Sequence, residues 1–134
     1  MKSDPTAELH RAKETVFLID DDDMIVDVSE LILKKSGYDV VSAKSGKEAI
    51  EVYKENHNRI DMVILDMILP DMGGGDTYDR LKEINPEIKV LLASGYDKDY
   101  QGSDIMERGC DGFIQKPFNM NELLEKIKGV LTSK

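Results

Sequence analysis

Apolar residues recur along this chain in two alternating rhythms. Short unbroken runs, such as Val16-Phe17-Leu18-Ile19 and Met62-Val63-Ile64-Leu65, have the length and apolar content of buried strands. Between such runs lie longer stretches where apolar residues return every three or four positions, the period of a helix packed on one side. The first strand, β1, is expected over 16–19 and the first helix, α1, over 22–35. In α1, Ile25, Val28, Ile32 and Lys35 share one face, acids crowd the first turn and lysines the last, and Gly37 ends it. β2 follows over 38–43. Ser45 with Glu48 makes a capping-box pattern ahead of α2, 46–55, which buries Ala49, Ile50 and either Tyr53 or Val52. β3 spans 61–65. A loop over 70–75 with three consecutive glycines leads to α3, 76–84, which Asn85-Pro86 stops. β4 spans 88–93, a polar α4 spans 98–108 and β5 spans 112–115. Asn119 caps α5, which runs to 131 and buries Leu123, Leu124, Ile127 and Val130.

Strands alternating with helices imply a parallel sheet covered on both faces. Strands buried on both faces read as continuous apolar runs, as these do. Five such units in 134 residues are too few for an eight-stranded barrel. They suit a flavodoxin-like α/β fold, a doubly wound five-stranded parallel sheet of order 2-1-3-4-5 with helices on both faces. The order comes with that fold rather than from the pattern. Residues 1–14 are polar, contain Pro5, and read as an N-terminal extension or linker with a short helix over 7–13; the domain itself is expected over 15–132.

Charge narrows the range of functions. The chain holds 27 Asp and Glu against 18 Lys and Arg, a formal net charge of −9. That balance argues against nonspecific nucleic-acid binding, which needs clustered basic residues, and suits a metal ion or a basic partner surface. The single cysteine, Cys110, leaves no intrachain disulfide and is expected as a small buried residue before β5. No apolar stretch reaches the ~18 residues of a membrane span, and the first residues lack a signal-peptide apolar core. No membrane segment and a cytoplasmic location are therefore expected. His10 and His57, the two histidines, fall in polar segments and are expected at the surface.

The acids are not spread evenly. β1 runs into Asp20-Asp21-Asp22-Asp23, and β3 runs into Asp66. In an open α/β sheet, the C-terminal ends of the strands form the edge where ligands bind. β4 delivers Ser94 to that edge and β5 delivers Lys116. Gathered carboxylates repel one another unless a cation sits among them. A divalent-metal site with one carboxylate available for chemistry is the expectation. Asp22 or Asp23 is expected to cap α1 instead. Gly73-Gly74-Gly75 is not a phosphate-binding loop, since no Gly-Lys-Ser/Thr follows; its expected role is backbone freedom after the acidic strand.

Four motifs occur in order across 15–132: Ile19-Asp20-Asp21-Asp22; Leu65-Asp66 with Pro70 and Gly74; Ala93-Ser94-Gly95-Tyr96; and Gly112-Phe113-Ile114-Gln115-Lys116-Pro117-Phe118. With these the chain resembles a response-regulator receiver domain of two-component signalling, of the chemotaxis-regulator type. The resemblance implies that Asp66 is the phosphoacceptor. It implies that Asp20, Asp21, Asp66 and the backbone carbonyl of Ile68 hold Mg2+. It assigns Lys116 to the phosphoryl group, Ser94 to the hydroxyl that moves toward it on activation, and Phe113 to the aromatic switch position. The implied phosphodonor is a histidine kinase or a histidine phosphotransfer protein. The implied output is a shift of the α4–β5–α5 face, with a phosphorylation-dependent homodimer as one form it could take. Such a domain assists its own phosphorylation and dephosphorylation and is not otherwise an enzyme.

Other readings have their own signatures. A Mg2+-dependent phosphohydrolase would want a second Asp two residues after the nucleophile, and position 68 is Ile. A flavodoxin-like cofactor binder would want a Ser/Thr-rich loop after β1, which here is four aspartates. A pseudo-receiver serving only as a docking module would not need the complete acid–Ser–Lys set. The wording of 76–82 and 109–113 resembles receivers of hybrid sensor kinases; a single-domain regulator or part of a longer regulator are the other contexts. Only 18 residues follow Lys116, room for one helix, so no DNA-binding or catalytic output domain is expected in this chain.

Overall fold

The computed structural model describes residues 14–95 and 110–132. The helices expected over 7–13 and 98–108, and Tyr96, lie outside the described residues. The remaining elements are β1 (Thr15–Ile19), α1 (Asp23–Lys35), β2 (Asp39–Ala43), α2 (Gly46–Asn56), β3 (Met62–Asp66), α3 (Gly74–Ile84), β4 (Val90–Ser94), β5 (Gly112–Gln115) and α5 (Met120–Thr132). The five strands form one parallel sheet in the order β2-β1-β3-β4-β5. This is the flavodoxin-like arrangement expected.

Alternation along each strand divides the core into two layers. Phe17, Ile19, Val63, Leu65, Val90 and Leu92 pack with Ala49 and Tyr53 of α2 and Tyr78 and Leu81 of α3. Their strand neighbours Val16, Leu18, Met62, Ile64, Leu91 and Ala93 pack with Val26 and Leu33 of α1 and with Leu123, Ile127 and Val130 of α5. Successive side chains therefore serve opposite faces, which is why the strands are apolar throughout. Helices cover both faces, α2 and α3 on one and α1 and α5 on the other.

Local signals work largely as expected. Asp22 caps α1 by accepting from the N–H groups of Met24 and Ile25 at 3.0 and 3.3 Å. The amide oxygen of Asn119 accepts from Glu122 N–H at 2.7 Å and caps α5. Cys110 is buried ahead of β5. Some details differ. Ser45 caps α2, but the Glu48 carboxylate accepts from Lys44 N–H at 2.9 Å, one residue before the position a capping box uses. α3 begins at Gly74, so two of the three consecutive glycines form its first turn rather than a loop. Residues His57–Arg59, in the polar segment between α2 and β3, form a 3-10 turn.

The face of α1 is a correction. Val26, Ser29 and Leu33 are its buried residues, whereas Val28 is 45% exposed and Lys35 is exposed. The expected and the observed stripe have nearly the same helical spacing and lie one residue apart. Periodicity alone cannot choose between them when both contain apolar residues. Packing against Leu18 and Ile64 decides, and it leaves Met24, Val28 and Leu31 outside the core.

Candidate functional site

The sheet register brings the strand ends level. Ile19 pairs with Leu65, so Asp20 and Asp66 are each at the strands' exit; Asp66 pairs with Ala93, and Ser94 pairs with Gln115. One residue further, Lys116 N–H donates to the Ser94 carbonyl at 2.7 Å. Asp20, Asp66 and Ser94 are buried, and Asp21 is exposed at the rim. Asp20 N–H donates to the Ala43 carbonyl, and its Oδ1 accepts from Asp22 N–H at 3.0 Å, which fixes the carboxylate on its own turn. Asp66 Oδ1 receives a long contact, 3.5 Å, from Ile68 N–H.

Lys116 is the only base in this cluster among the described residues, and it is shared. Its Nζ lies 2.8 Å from Asp20 Oδ2 and 3.3 Å from Asp66 Oδ1. Burial pulls the ammonium's pKa down, but the bond to Asp20 and the charge of Asp66 outweigh that and hold it above its ordinary value. Asp66 is less well served. Its burial, and secondly the charge of Asp20, push its carboxyl up from 3.8 to about 6; Lys116 opposes this only in part. One cation divided between two acids satisfies the nearer acid and leaves the other short.

The remaining acid completes a donor set. One carboxylate oxygen from each of Asp20, Asp21 and Asp66 lies within 4.8 Å of the others. Hard oxygen donors at this spacing suit Mg2+. Ile68, whose carbonyl the family resemblance adds to that set, is 50% exposed, between buried Met67 and Leu69. Phe113 is half-buried and packs against the α2/α3 side of the core, next to Leu92 in register. The structure thus gathers Asp20, Asp21, Asp66 and Lys116 directly, with Ser94 one residue beyond Asp66's partner.

Sequence reasoning passed over Asp71. Its carboxylate accepts from Gly46 N–H at 2.8 Å and Lys47 N–H at 2.9 Å, joining the segment after β3 to the start of α2. The only sequence signal was an acid beside Pro70 in a turn.

Comparison with known proteins gives a consistent result. The family model described as the response regulator receiver domain matches residues 16–128. The sensor kinase CckA of Brucella abortus (strain 2308) is 32% identical over 117 residues, which is 87% of this chain and 12% of that protein. This chain therefore spans only a small part of that relative. Among solved structures, a response regulator receiver domain protein from Clostridium thermocellum is similar at a TM-score of 0.83 and 28% identity, covering 88% of this chain and 94% of that one. A chain of the CheX-CheY-BeF3-Mg complex from Borrelia burgdorferi matches at 0.84 and 26% identity, covering 90% of each chain.

The raised Asp66 value sets a stability prediction with a definite sign. A carboxyl whose folded value lies above its unfolded one stabilises the fold fully below about pH 4, and that contribution is lost as pH rises through about 6. In a metal-free buffer near pH 8, Asp66→Asn should therefore melt above wild type, by roughly 1–3 kcal/mol of stability. Near pH 5 the difference should shrink. Thermal melts in EDTA at both pH values read this out, and an Asp66→Asn protein that is less stable at both would contradict it.

Proposed function

The chain belongs to the response regulator receiver domain family, and from that premise we propose the chemistry that its strand-end cluster performs. It is a phosphoacceptor domain of two-component signalling. In this reading Asp66 is the acceptor. The observation that carries the assignment is that Asp66 is buried beside a second carboxylate, with Lys116, shared with Asp20, offsetting this only in part. Strongly perturbed acids in such a setting mark functional sites.

Phosphoryl transfer is mainly positioning and charge neutralisation. An Asp66 oxygen attacks the phosphorus of a phosphohistidine. The O–P bond forms as the N–P bond breaks, and the imidazole leaves with the bonding pair, giving an acyl phosphate. Lys116, already against Asp66, offers its charge to the phosphoryl oxygens. Ser94 donates one hydrogen bond. Asp20, Asp21, Asp66 and the Ile68 carbonyl would hold Mg2+, which supplies the positive charge that the developing anion needs. No separate catalytic output is assigned to the domain.

The added phosphoryl group brings roughly −1.5 to −2 charges to the sheet edge. Ser94 and Lys116 are drawn toward it, and because they end β4 and begin the β5–α5 turn, the α4–β5–α5 face shifts with Phe113 repacking inward. A homodimer formed through that face is one output this reading allows.

The donor is a histidine kinase or a histidine phosphotransfer protein, and an apolar groove beside the acids supports protein docking there. It has a volume of about 390 Å3 and lies between α1 and the β5–α5 turn, with Met24, Ile25, Val28, Pro117, Phe118 and Met120 among its walls. Lys116 also borders it, so a donor seated in the groove stands next to the acceptor. Met24, Val28 and Leu31 are exposed apolar residues of the same helix, and contiguous exposed apolar surface marks interaction sites. Donors of this kind place the domain in the cytoplasm. Among the described residues no helix is long and apolar enough to cross a membrane.

Incubation with Mg2+ and acetyl phosphate should add one phosphoryl mass to wild type and none to Asp66→Asn. Beryllofluoride with Mg2+ should move the amide resonances of β5 and α5. Equal labelling of both proteins, or an unmoved α4–β5–α5 face, would refute the corresponding assignment. Val28→Glu places a charge in the groove. It should slow transfer from a phosphohistidine protein by roughly tenfold or more, about 1.4 kcal/mol of docking energy, while labelling by acetyl phosphate stays at the wild-type rate. Unchanged protein-to-protein transfer would remove the groove from the account.

A further inference from the structure

The segment from Asp66 to Gly74 carries two of the assigned metal donors, and most of it is held from inside the domain. Met67 N–H donates to the Ala93 carbonyl at 3.0 Å, and Gly74 N–H donates to the Met67 carbonyl at 2.8 Å. A Cβ on Gly74 would lie 2.7 Å from Met67 Cα, so the two ends of the segment touch backbone to backbone. The side chains of Met67 and Leu69 are buried. The outer part of the segment, Pro70 and Asp71, is exposed and gains nothing from burial. What ties it down is the Asp71 carboxylate, which takes the N–H groups of Gly46 and Lys47, one on each oxygen. Those bonds, Lys47's first, hold the Asp71 carboxyl below its ordinary pKa. Gly46 makes the joint possible. A Cβ there would lie 2.2 Å from Met72 Cγ and 2.7 Å from Thr77 Oγ1, so the start of α2 seats directly on this segment.

We propose that Asp71 is a positioning residue for the metal site: its grip on the first turn of α2 fixes the segment that presents the Ile68 carbonyl beside Asp66. This rests on the Mg2+ reading of Asp20, Asp21 and Asp66 given above. Asp71 itself touches neither metal nor phosphoryl group. Ile68 is the residue between the two anchored positions, Met67 and Leu69, and its own backbone contact to Asp66 is long, at 3.5 Å. Met67 is fixed by backbone bonds, whereas Leu69 is fixed by burial of its side chain, which does not set the plane of the Ile68–Leu69 peptide; the next polar tie from this segment to the rest of the domain is the Asp71 joint. Partners bonded directly to a ligand commonly change metal affinity by 10–100-fold when removed, and a partner acting through the chain, as Asp71 does, should reach only the lower end of that range.

The test is a titration with MgCl2 alone, followed by amide spectra, on four proteins that are also melted in EDTA. Wild type should bind, and failure to do so would sink the metal reading and this inference together. With wild-type binding in hand, Asp71→Ala should weaken the Mg2+ midpoint roughly tenfold. Ser45→Ala removes the other cap of the same helix, the bond from Glu48 N–H at 3.1 Å, without touching the β3–α3 segment. It should lower the melting temperature comparably and leave the Mg2+ midpoint at the wild-type value. Asp71→Asn loses the charge but keeps an acceptor oxygen, and should recover part of the affinity. An unchanged midpoint in Asp71→Ala overturns the proposal. So does an equal loss in Ser45→Ala, which would make the effect one of helix stability.

Discussion

One ammonium between two buried carboxylates is the constraint on which this molecule depends. Lys116 is nearer to Asp20 than to Asp66, 2.8 against 3.3 Å, and it offsets only part of the burial and of the Asp20 charge that together raise the Asp66 carboxyl to about 6. Buried charge is normally tolerated only when fully paired. Here the domain keeps an incompletely paired acid at the edge where its sheet is open to ligands. In the function proposed above, that shortfall is what favours a divalent cation among Asp20, Asp21 and Asp66, and a phosphoryl group whose charge Lys116 can then answer.

That arrangement exists only while the sheet keeps its register. Phe17 and Ile19 belong to the α2/α3 side of the core, and Val16 and Leu18 to the α1/α5 side. A one-residue slip of β1 would exchange the two sets between layers and misfit both. It would also carry Asp20 away from Lys116. The same burial that drives folding thus places the acids, and the chemistry of the edge follows from packing tens of residues away in sequence. The segment after β3 adds a second anchor from outside the sheet, through Asp71 and the start of α2.

Much of this was legible in the chain. Unbroken apolar runs ending in Asp20 and Asp66 located the strands and the functional edge, because a strand buried on both faces has no polar positions until it leaves the sheet. Caps were legible where a single side chain makes them, as at Asp22, Ser45 and Asn119. Features that depend on rotation or on distant partners were not. The face of α1 turned on which of two overlapping stripes met Leu18 and Ile64. The Glu48 carboxylate took the N–H of Lys44 rather than that of Ser45, a one-residue choice that the motif does not encode. Asp71 was unreadable because its partners lie 24 and 25 residues earlier and are backbone groups, which carry no signature in the sequence. Lys116 was legible as a member of the edge, but its unequal division between two acids is a matter of tenths of an ångström.

The incomplete compensation of Asp66 is measured most directly by following its side-chain carboxyl carbon through a pH titration of metal-free protein. The account predicts a midpoint near 6, and a lower midpoint once Mg2+ is added. A metal-free midpoint at the ordinary aspartate value of 3.8 would mean that burial and the Asp20 charge are fully offset at Asp66, and would contradict it.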